Sequence, residues 1–306
     1  SRSSAASDVY KRQAVRWSKE HHRGKVPPWT ALEHAVFERL VYGKLRHALG
    51  GGMRLAFSGG GPLGERLTHF FDGIGVQIFE GYGLTETSPT LTINRPGAWR
   101  PGTVGRPLAG TTIRIAGDGE VLAKGPQVFA GYWANPAATT EVIDDEGWFH
   151  TGDIGELDDD GYLRITGRKK ELIVTAAGKN VAPAPLEDRL RAHPLVSQAV
   201  VVGDERPFVA ALVTIDEEAF VDWATEAGLD AATVAEAAET AELREAVRAA
   251  IDDANLAVSR AESIREFAIL PNDFTIDAGE LTPTLKVRRS VVHGRYQAVI
   301  DSIYTA

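Results

Sequence analysis

Two short apolar runs that each stop at a cluster of glycines set the strongest limit on this fold. Arg54-Leu-Ala-Phe-Ser58 ends at Gly59-Gly60-Gly61-Pro62, and Val76-Gln-Ile-Phe-Glu80 ends at Gly81-Tyr82-Gly83. Between them, Glu65–Asp72 puts Leu67, Phe70 and Phe71 on one side of a helix. Strand, helix and strand within about 30 residues is the spacing of a parallel βαβ unit. Both glycine loops then follow the carboxyl ends of parallel strands, the edge at which open α/β sheets bind ligands.

The flanking patterns extend that unit in both directions. Thr30 followed by Glu33 reads as a capping box opening a helix with Leu32, Val36, Leu40 and Leu45 at helical spacing, closed by Gly50-Gly51. Beyond Gly102 the pattern changes to short strands and tight turns: Thr111–Ala116 and Glu120–Lys124 flank Gly117-Asp118-Gly119, and Ile154–Leu157 and Tyr162–Thr166 flank Asp158-Asp-Asp-Gly161. Such hairpins predict a small antiparallel barrel or sheet. From Lys170 an α+β pattern follows: a hairpin around Ala177-Gly178, a helix at Pro185–Ala192, strands at Val196–Val202, Phe208–Ile215 and Glu266–Leu270, two acidic helices over Glu217–Ala257 and a last helix from about Val287. The expected division is 14–98 as an α/β part, 99–167 as a barrel part and 168–306 as a separate α+β domain, the charged run Arg168–Glu171 marking the boundary. Ser1–Gln13 is small and polar, resembles translated sequencing-adapter sequence, and is expected to be non-native or disordered.

Composition excludes several classes of function. Without cysteine there is no disulfide, thiolate catalysis or Cys-based zinc site, which fits a reducing, cytoplasmic setting. A formal charge of −9 argues against a general nucleic-acid surface. No apolar run approaches the roughly 20 residues of a membrane span. An anionic ligand must therefore be held by local amides and single cations.

The loops can do that. Three successive glycines let backbone approach a flat ring or a phosphate, although a ligand-free strand-to-helix turn explains them equally. Gly81-Tyr82-Gly83-Leu84-Thr85-Glu86-Thr87-Ser88 places an aromatic face, hydroxyls and a carboxylate at one strand end. They could stack on a base, donate to phosphate and hold Mg²⁺. The bland reading makes Tyr82 core, Glu86 solvated and Thr85 a helix cap.

Tyr82–Glu86 resembles the YGxTE motif of the adenylate-forming superfamily, which includes acyl-CoA synthetases, luciferases and peptide-synthetase adenylation domains. Gly102-Thr-Val-Gly105-Arg-Pro107 resembles its GxxGxP segment, Trp148–Asp153 its (Y/F)xTGD, Gly167–Ile173 its hinge motif and Leu281–Lys286 its catalytic-lysine motif. Five motifs in order are far more specific than any one of them. The spellings of 50–58, 167–183 and 281–288, with Thr284-Leu285-Lys286 in place of the usual NGK, resemble the long-chain fatty acyl-CoA synthetases.

This resemblance implies the C-terminal part of the synthetase large domain, followed by a mobile lid. It implies ATP and AMP as nucleotide, Mg²⁺, and a fatty acid and CoA as co-substrates. Gly59, Gly60, Gly61, Glu80, Gly81, Tyr82, Gly83 and Ile165 would frame the nucleotide; Thr85 would touch the α-phosphate and Glu86 would hold Mg²⁺. Asp153 would accept from the ribose hydroxyls, with Arg168 approaching the same sugar. Lys286 would neutralise charge during adenylation. Lys170 would be the hinge, and Gly178 and Lys179 would line the CoA path. Peripheral membrane contact through the fatty acid is compatible with this reading, and oligomeric state is open.

The family's hydroxyl-rich phosphate loop has no counterpart here, since Gly50–Pro62 lacks the hydroxyl cluster and trailing lysine. The expectation is a fragment whose phosphate loop and most of whose acyl tunnel lie upstream, with doubtful activity in isolation. A non-catalytic nucleotide-binding remnant and an adenylating enzyme with a carrier-protein acceptor remain alternatives. The acidic turn 158–160 lacks the twelfth-position carboxylate of a calcium loop and reads as a turn; His21-His22 reads as a solvated stretch.

Overall fold

The structure is a computed structural model that describes residues 2–53, 55–231 and 233–305, with side chains from residue 9 onward. The chain forms two compact units, Ser1–Thr166 and Gly167–Ala306.

The first unit opens with helix α1 (Arg2–His22). Residues 1–13, expected to be disordered, are thus helical from Arg2. Ala14 and Tyr10 pack with Tyr42, Ile74 and Val76, and polar contacts add to this: the Tyr42 hydroxyl lies 2.9 Å from the Tyr10 carbonyl, and buried Ser18 donates to Asp72 at 2.6 Å. Helix α2 (Pro28–Phe37) starts with proline in its first turn, where the missing N–H costs nothing. The capping box is absent: Thr30 lies inside the helix, fully buried. A π-turn at Glu38–Tyr42 leads into α3 (Gly43–Ala48) and advances the register by one residue. The packed face is Phe37, Val41, Tyr42 and Leu45, against Ile74 and Val76. Leu32, Val36 and Leu40, expected on that face with Leu45, are 70%, 49% and 58% exposed.

Strand β1 (Leu55–Ser58), helix α4 (Glu65–Gly73) and strand β2 (Gln77–Gly83) form the expected βαβ unit. The strands run parallel, with Leu55 opposite Gln77 and Ser58 opposite Glu80. Arg54, the expected first strand residue, lies outside the described residues. Strands β3 (Thr90–Ile93) and β4 (Arg106–Pro107) continue this sheet antiparallel, in the order β1-β2-β3-β4. The hairpin region forms β5 (Thr112–Ile115), β6 (Glu120–Lys124), α5 (Pro136–Val142), β7 (Phe149–Leu157) and β8 (Leu163–Arg168). Its strands make a second sheet in chain order. The acidic turn is a turn: Asp158 Oδ1 accepts from the Asp160 and Tyr162 amides, and Arg100 pairs with Asp158 and Asp160.

The second unit begins with β9 (Ile173–Val174), β10 (Asn180–Val181) and α6 (Pro183–Arg191). Its central sheet is β11 (Val196–Val202), β12 (Val209–Ile215) and β13 (Ile264–Ile269), with β12 buried along its whole length. The acidic segment folds as α7 (Glu217–Ala227), α8 (Val234–Ala237) and α9 (Ala241–Asn255). These helices build the core of the unit: Phe220, Leu243, Val247 and Ile251 pack with Leu186 and Val213. Each such buried side chain contributes about 1.5–3 kcal/mol. On the other side of the sheet, α10 (Arg289–Arg295) and α11 (Gln297–Ile303) bury Val292 and Ile300 against Val200 and Leu212.

Gly105 crosses within backbone contact of β3. A Cβ there would stand 2.0 Å from the Ile93 carbonyl carbon, at a φ of +83°. Gly105→Ala is expected to destabilise the first unit by about 3 kcal/mol or more, read by chemical denaturation. A second expectation concerns acid. The Glu65 carboxyl is pulled down to about 2 from its ordinary 4.5, first by its bond with His69 and then by Lys19. A lowered folded value means this contribution is complete above about 4.5 and is lost as pH falls toward 2. Amide protection of α1 and α4 should drop across that window, and Glu65→Gln should flatten the dependence.

Candidate active site

The end of β2 shows what its glycines are for. A Cβ on Gly83 would lie 1.7 Å from the Pro89 carbonyl oxygen, so this glycine serves the chain's own crossing with β3. Gly81 is likewise tight against Ile93 and Thr92. The first loop differs: a Cβ on Gly59 would make only an ordinary contact with Gly81, and one on Gly61 would meet open space. Room for a ligand therefore lies over Gly59–Gly61 rather than over Gly81 and Gly83. Glu80, expected among the nucleotide contacts, is buried and turned toward the start of α4, where it accepts from the Leu63 amide at 3.3 Å and Thr68 at 3.1 Å.

Tyr82 and Asp153, 71 positions apart, meet directly. The phenol donates to Asp153 Oδ2 at 2.7 Å. The Tyr82 ring packs beside Leu91, Ala123 and Phe149, so the core reading of this residue holds for its ring. Asp153 is 3% exposed and is held by a built turn. Its amide donates to Thr151 Oγ1, which donates to the Val121 carbonyl at 2.7 Å. The Gly152 amide donates to Glu120 Oε1 at 2.9 Å, and His150 Nδ1 lies 3.2 Å from Glu120 Oε2.

After Gly83, a 3₁₀ turn at Thr85–Thr87 raises Thr85 to the surface while Thr87 is buried, bonded to Leu84 and Pro89. Thr85 is not a cap. Glu86 projects from this turn, half-buried, and accepts at Oε1 from the Tyr132 hydroxyl at 2.9 Å. Among the described residues Oε2 makes no hydrogen bond. Mg²⁺ keeps several waters and takes one or two carboxylates together with phosphate oxygens. A single carboxylate with one oxygen available fits that donor set, and no cluster of three or more His, Asp or Glu side chains competes among the described residues.

Ile165 is half-buried on β8. In the second unit Arg168 is exposed at the end of that strand, and Lys170 lies in a 3₁₀ turn at Lys169–Glu171. Gly178 takes a left-handed φ of +75° in the hairpin between β9 and β10, and Lys179 pairs with Glu262 at 3.2 Å. Lys286 is exposed on a tight turn in which the Thr282 amide donates to the Lys286 carbonyl at 2.8 Å. Leu285 beside it adopts a φ of +59°, an uncommon conformation for a residue with a side chain. Arg289 anchors the following helix through Glu187 and Glu171.

The AMP-binding enzyme model matches residues 18–133, and the AMP-binding enzyme C-terminal domain matches 170–306. The chain belongs to the AMP-binding enzyme family. It is 57% identical over 292 residues to the long-chain-fatty-acid–CoA ligase FadD15 of Mycobacterium tuberculosis, covering 95% of this chain and 48% of that protein. It is 38% identical over 291 residues to the human long-chain-fatty-acid–CoA ligase ACSBG1, covering 87% of this chain and 40% of that one. The adenylation and carrier didomain of a Segniliparus rugosus carboxylic acid reductase, solved with AMP, superposes with a TM-score of 0.68 at 24% identity over 97% of this chain and 40% of its own. The chain thus spans about half the length of the curated relatives it matches.

Sequence reasoning missed two residues of this site. From the sequence Glu120 reads only as a strand end, and no motif marks Tyr132. Nothing in local spacing joins either to its partner, since the Tyr132 bond to Glu86 spans 46 positions and the Glu120 bond to Gly152 spans 32. Tyr82→Phe leaves a buried carboxyl short of a donor and is expected to destabilise the first unit by about 1–2 kcal/mol in a denaturation experiment.

Proposed function

We propose that this chain carries nucleotide-binding and adenylating machinery of a long-chain fatty acid–CoA ligase. The observation that carries the reading is the Tyr82–Asp153 bond, which joins two separate motif residues at a strand end beside the open face of Gly59–Gly61. The names of the relatives supply the acid and the acceptor: FadD15 and ACSBG1 are both long-chain-fatty-acid–CoA ligases.

Adenine lies against Gly59–Gly61 and the Tyr82 end of β2, with Ile165 contributing an apolar contact. The Asp153 carboxyl accepts from the ribose diol, since an ionised carboxylate is an acceptor and the diol offers two donors. Arg168 approaches the same sugar. Thr85 donates to the α-phosphate, and Glu86 holds Mg²⁺, which neutralises phosphate charge when bound. A carboxylate oxygen of the fatty acid attacks the α-phosphorus; the new P–O bond forms as the bond to pyrophosphate breaks, giving acyl-AMP. Lys286, a compact charge on a flexible stem, offsets the negative charge that accumulates. Rotation about Lys170 then exchanges Lys286 for the Gly178–Lys179 hairpin, which lines the CoA path. The thiol sulfur attacks the acyl carbon, the thioester forms, its proton passes to solvent and AMP leaves.

Titration of the chain with AMP, and pyrophosphate release by a polypeptide carrying it behind a phosphate loop, test this reading. AMP should bind, and Asp153→Asn should weaken it by about tenfold, the loss of a charged hydrogen bond. Lys286→Ala should leave AMP affinity intact and slow acid-dependent pyrophosphate release by about 100-fold. Failure to bind AMP sinks the proposal. Binding without pyrophosphate release points to a remnant, and release without a CoA product points to a carrier-protein acceptor.

A further inference from the structure

The geometry points to Tyr132 as a positioning residue that fixes the carboxylate of Glu86 for a divalent cation. This rests on Glu86 being the metal-holding residue, as proposed above.

Glu86 is joined to the segment 129–132 twice. The Phe129 amide donates to the Glu86 carbonyl at 2.8 Å, and the Tyr132 hydroxyl donates to Oε1 at 2.9 Å. Neither contact is a chance meeting of mobile side chains. The Tyr132 ring packs edge-on against Phe129 with centroids 4.9 Å apart, and Phe129 packs in turn against buried Phe149. The Tyr132 amide donates to Thr139 Oγ1 at 2.9 Å, which itself donates to the Asn135 carbonyl at 2.9 Å. Gly131 makes that docking possible, because a Cβ there would stand 2.7 Å from Thr139 Cγ2. Backbone, ring and hydroxyl of Tyr132 are therefore each held by a different partner.

A glutamate on an exposed turn otherwise samples several rotamers, and a cation must wait for the right one. With Oε1 tied to a fixed phenol, Oε2 points in one direction. Donation to one carboxylate oxygen leaves lone pairs on the other for a metal, the usual arrangement of a ligand oriented by an outer hydrogen bond.

Mn²⁺, a spin-active substitute for Mg²⁺, can be titrated into the intact chain with ATP, free Mn²⁺ being followed by electron paramagnetic resonance. Metal-free AMP affinity is measured in parallel. Tyr132→Phe keeps the ring and should weaken Mn·ATP binding by about tenfold, with AMP affinity unchanged. In a Glu86→Ala background the same change should have no further effect, because the two residues act as one unit. Wild-type Mn·ATP affinity in Tyr132→Phe, with Glu86→Ala weakened, overturns the inference and leaves the metal role of Glu86 standing. Equal loss of AMP and Mn·ATP binding also overturns it, since that is a structural effect. If Glu86→Ala itself changes nothing, the reading of Glu86 as the metal carboxylate fails first. Thermal unfolding of each variant, with Tyr132→Trp as a second test of the hydroxyl, separates misfolding from these outcomes.

Discussion

A carboxyl group buried to 3% exposure is costly unless donors surround it, and Asp153 organises the first unit around that requirement. Its Oδ2 takes the Tyr82 hydroxyl, which ties the end of β2 to β7. The turn that carries it is closed by Thr151 on one side and by the Gly152 amide on Glu120 on the other. Glu120 is itself 5% exposed, so one buried carboxyl is placed by another. Every member of this network has a partner within the same unit. That is the condition under which buried polar groups stiffen a site instead of weakening it.

The glycines of the two loops resemble one another in sequence and differ in physical role. Gly83 and Gly105 admit the chain's own backbone, at distances no Cβ could tolerate. Gly59 and Gly61 meet no such crowding. A glycine-rich strand end thus signals close approach, while only the fold says whether the approaching group is peptide or ligand. The same distinction applies to carboxylates: Glu80 is consumed by the start of α4, whereas Glu86, six residues later, keeps one oxygen unengaged among the described residues.

Local patterning was legible wherever neighbours in sequence are neighbours in space. The parallel unit of β1, α4 and β2 followed from strand–helix–strand spacing, and the β5–β6 and β7–β8 turns from their glycine and aspartate spellings. Periodicity located the helix after Pro28 but named the wrong face: the segment is apolar on two sides, and Phe37, Val41 and Leu45 pack inward while Leu32, Val36 and Leu40 are exposed. Helix α1 shows no apolar stripe in the sequence because its buried residues mix Ala14 with polar Gln13 and Ser18. Tyr132 and Glu120 escaped for a different reason: their partners are brought near only by the tertiary fold, and no short motif records that.

The exposed apolar stripe of Leu32, Val36 and Leu40 bears on how much of the fold these residues complete by themselves. A helix that packs Phe37, Val41 and Leu45 inward and presents leucine and valine outward is apolar on two sides, the pattern of a helix enclosed between layers. Strand β1 repeats the theme, with Phe57 67% exposed on a parallel edge, and parallel strands are ordinarily covered on both faces. In the second unit α6, α7 and α9 cover one face of the sheet and α10 and α11 the other. Its Lys286 turn, with Leu285 in a left-handed conformation and α10 clamped through Arg289 to Glu187, stands on a finished core. The turn is fixed at both ends, since the Thr282 amide closes it on the Lys286 carbonyl and the Arg288 amide donates to the Glu280 carbonyl, so the backbone that carries Lys286 is held by a packed core.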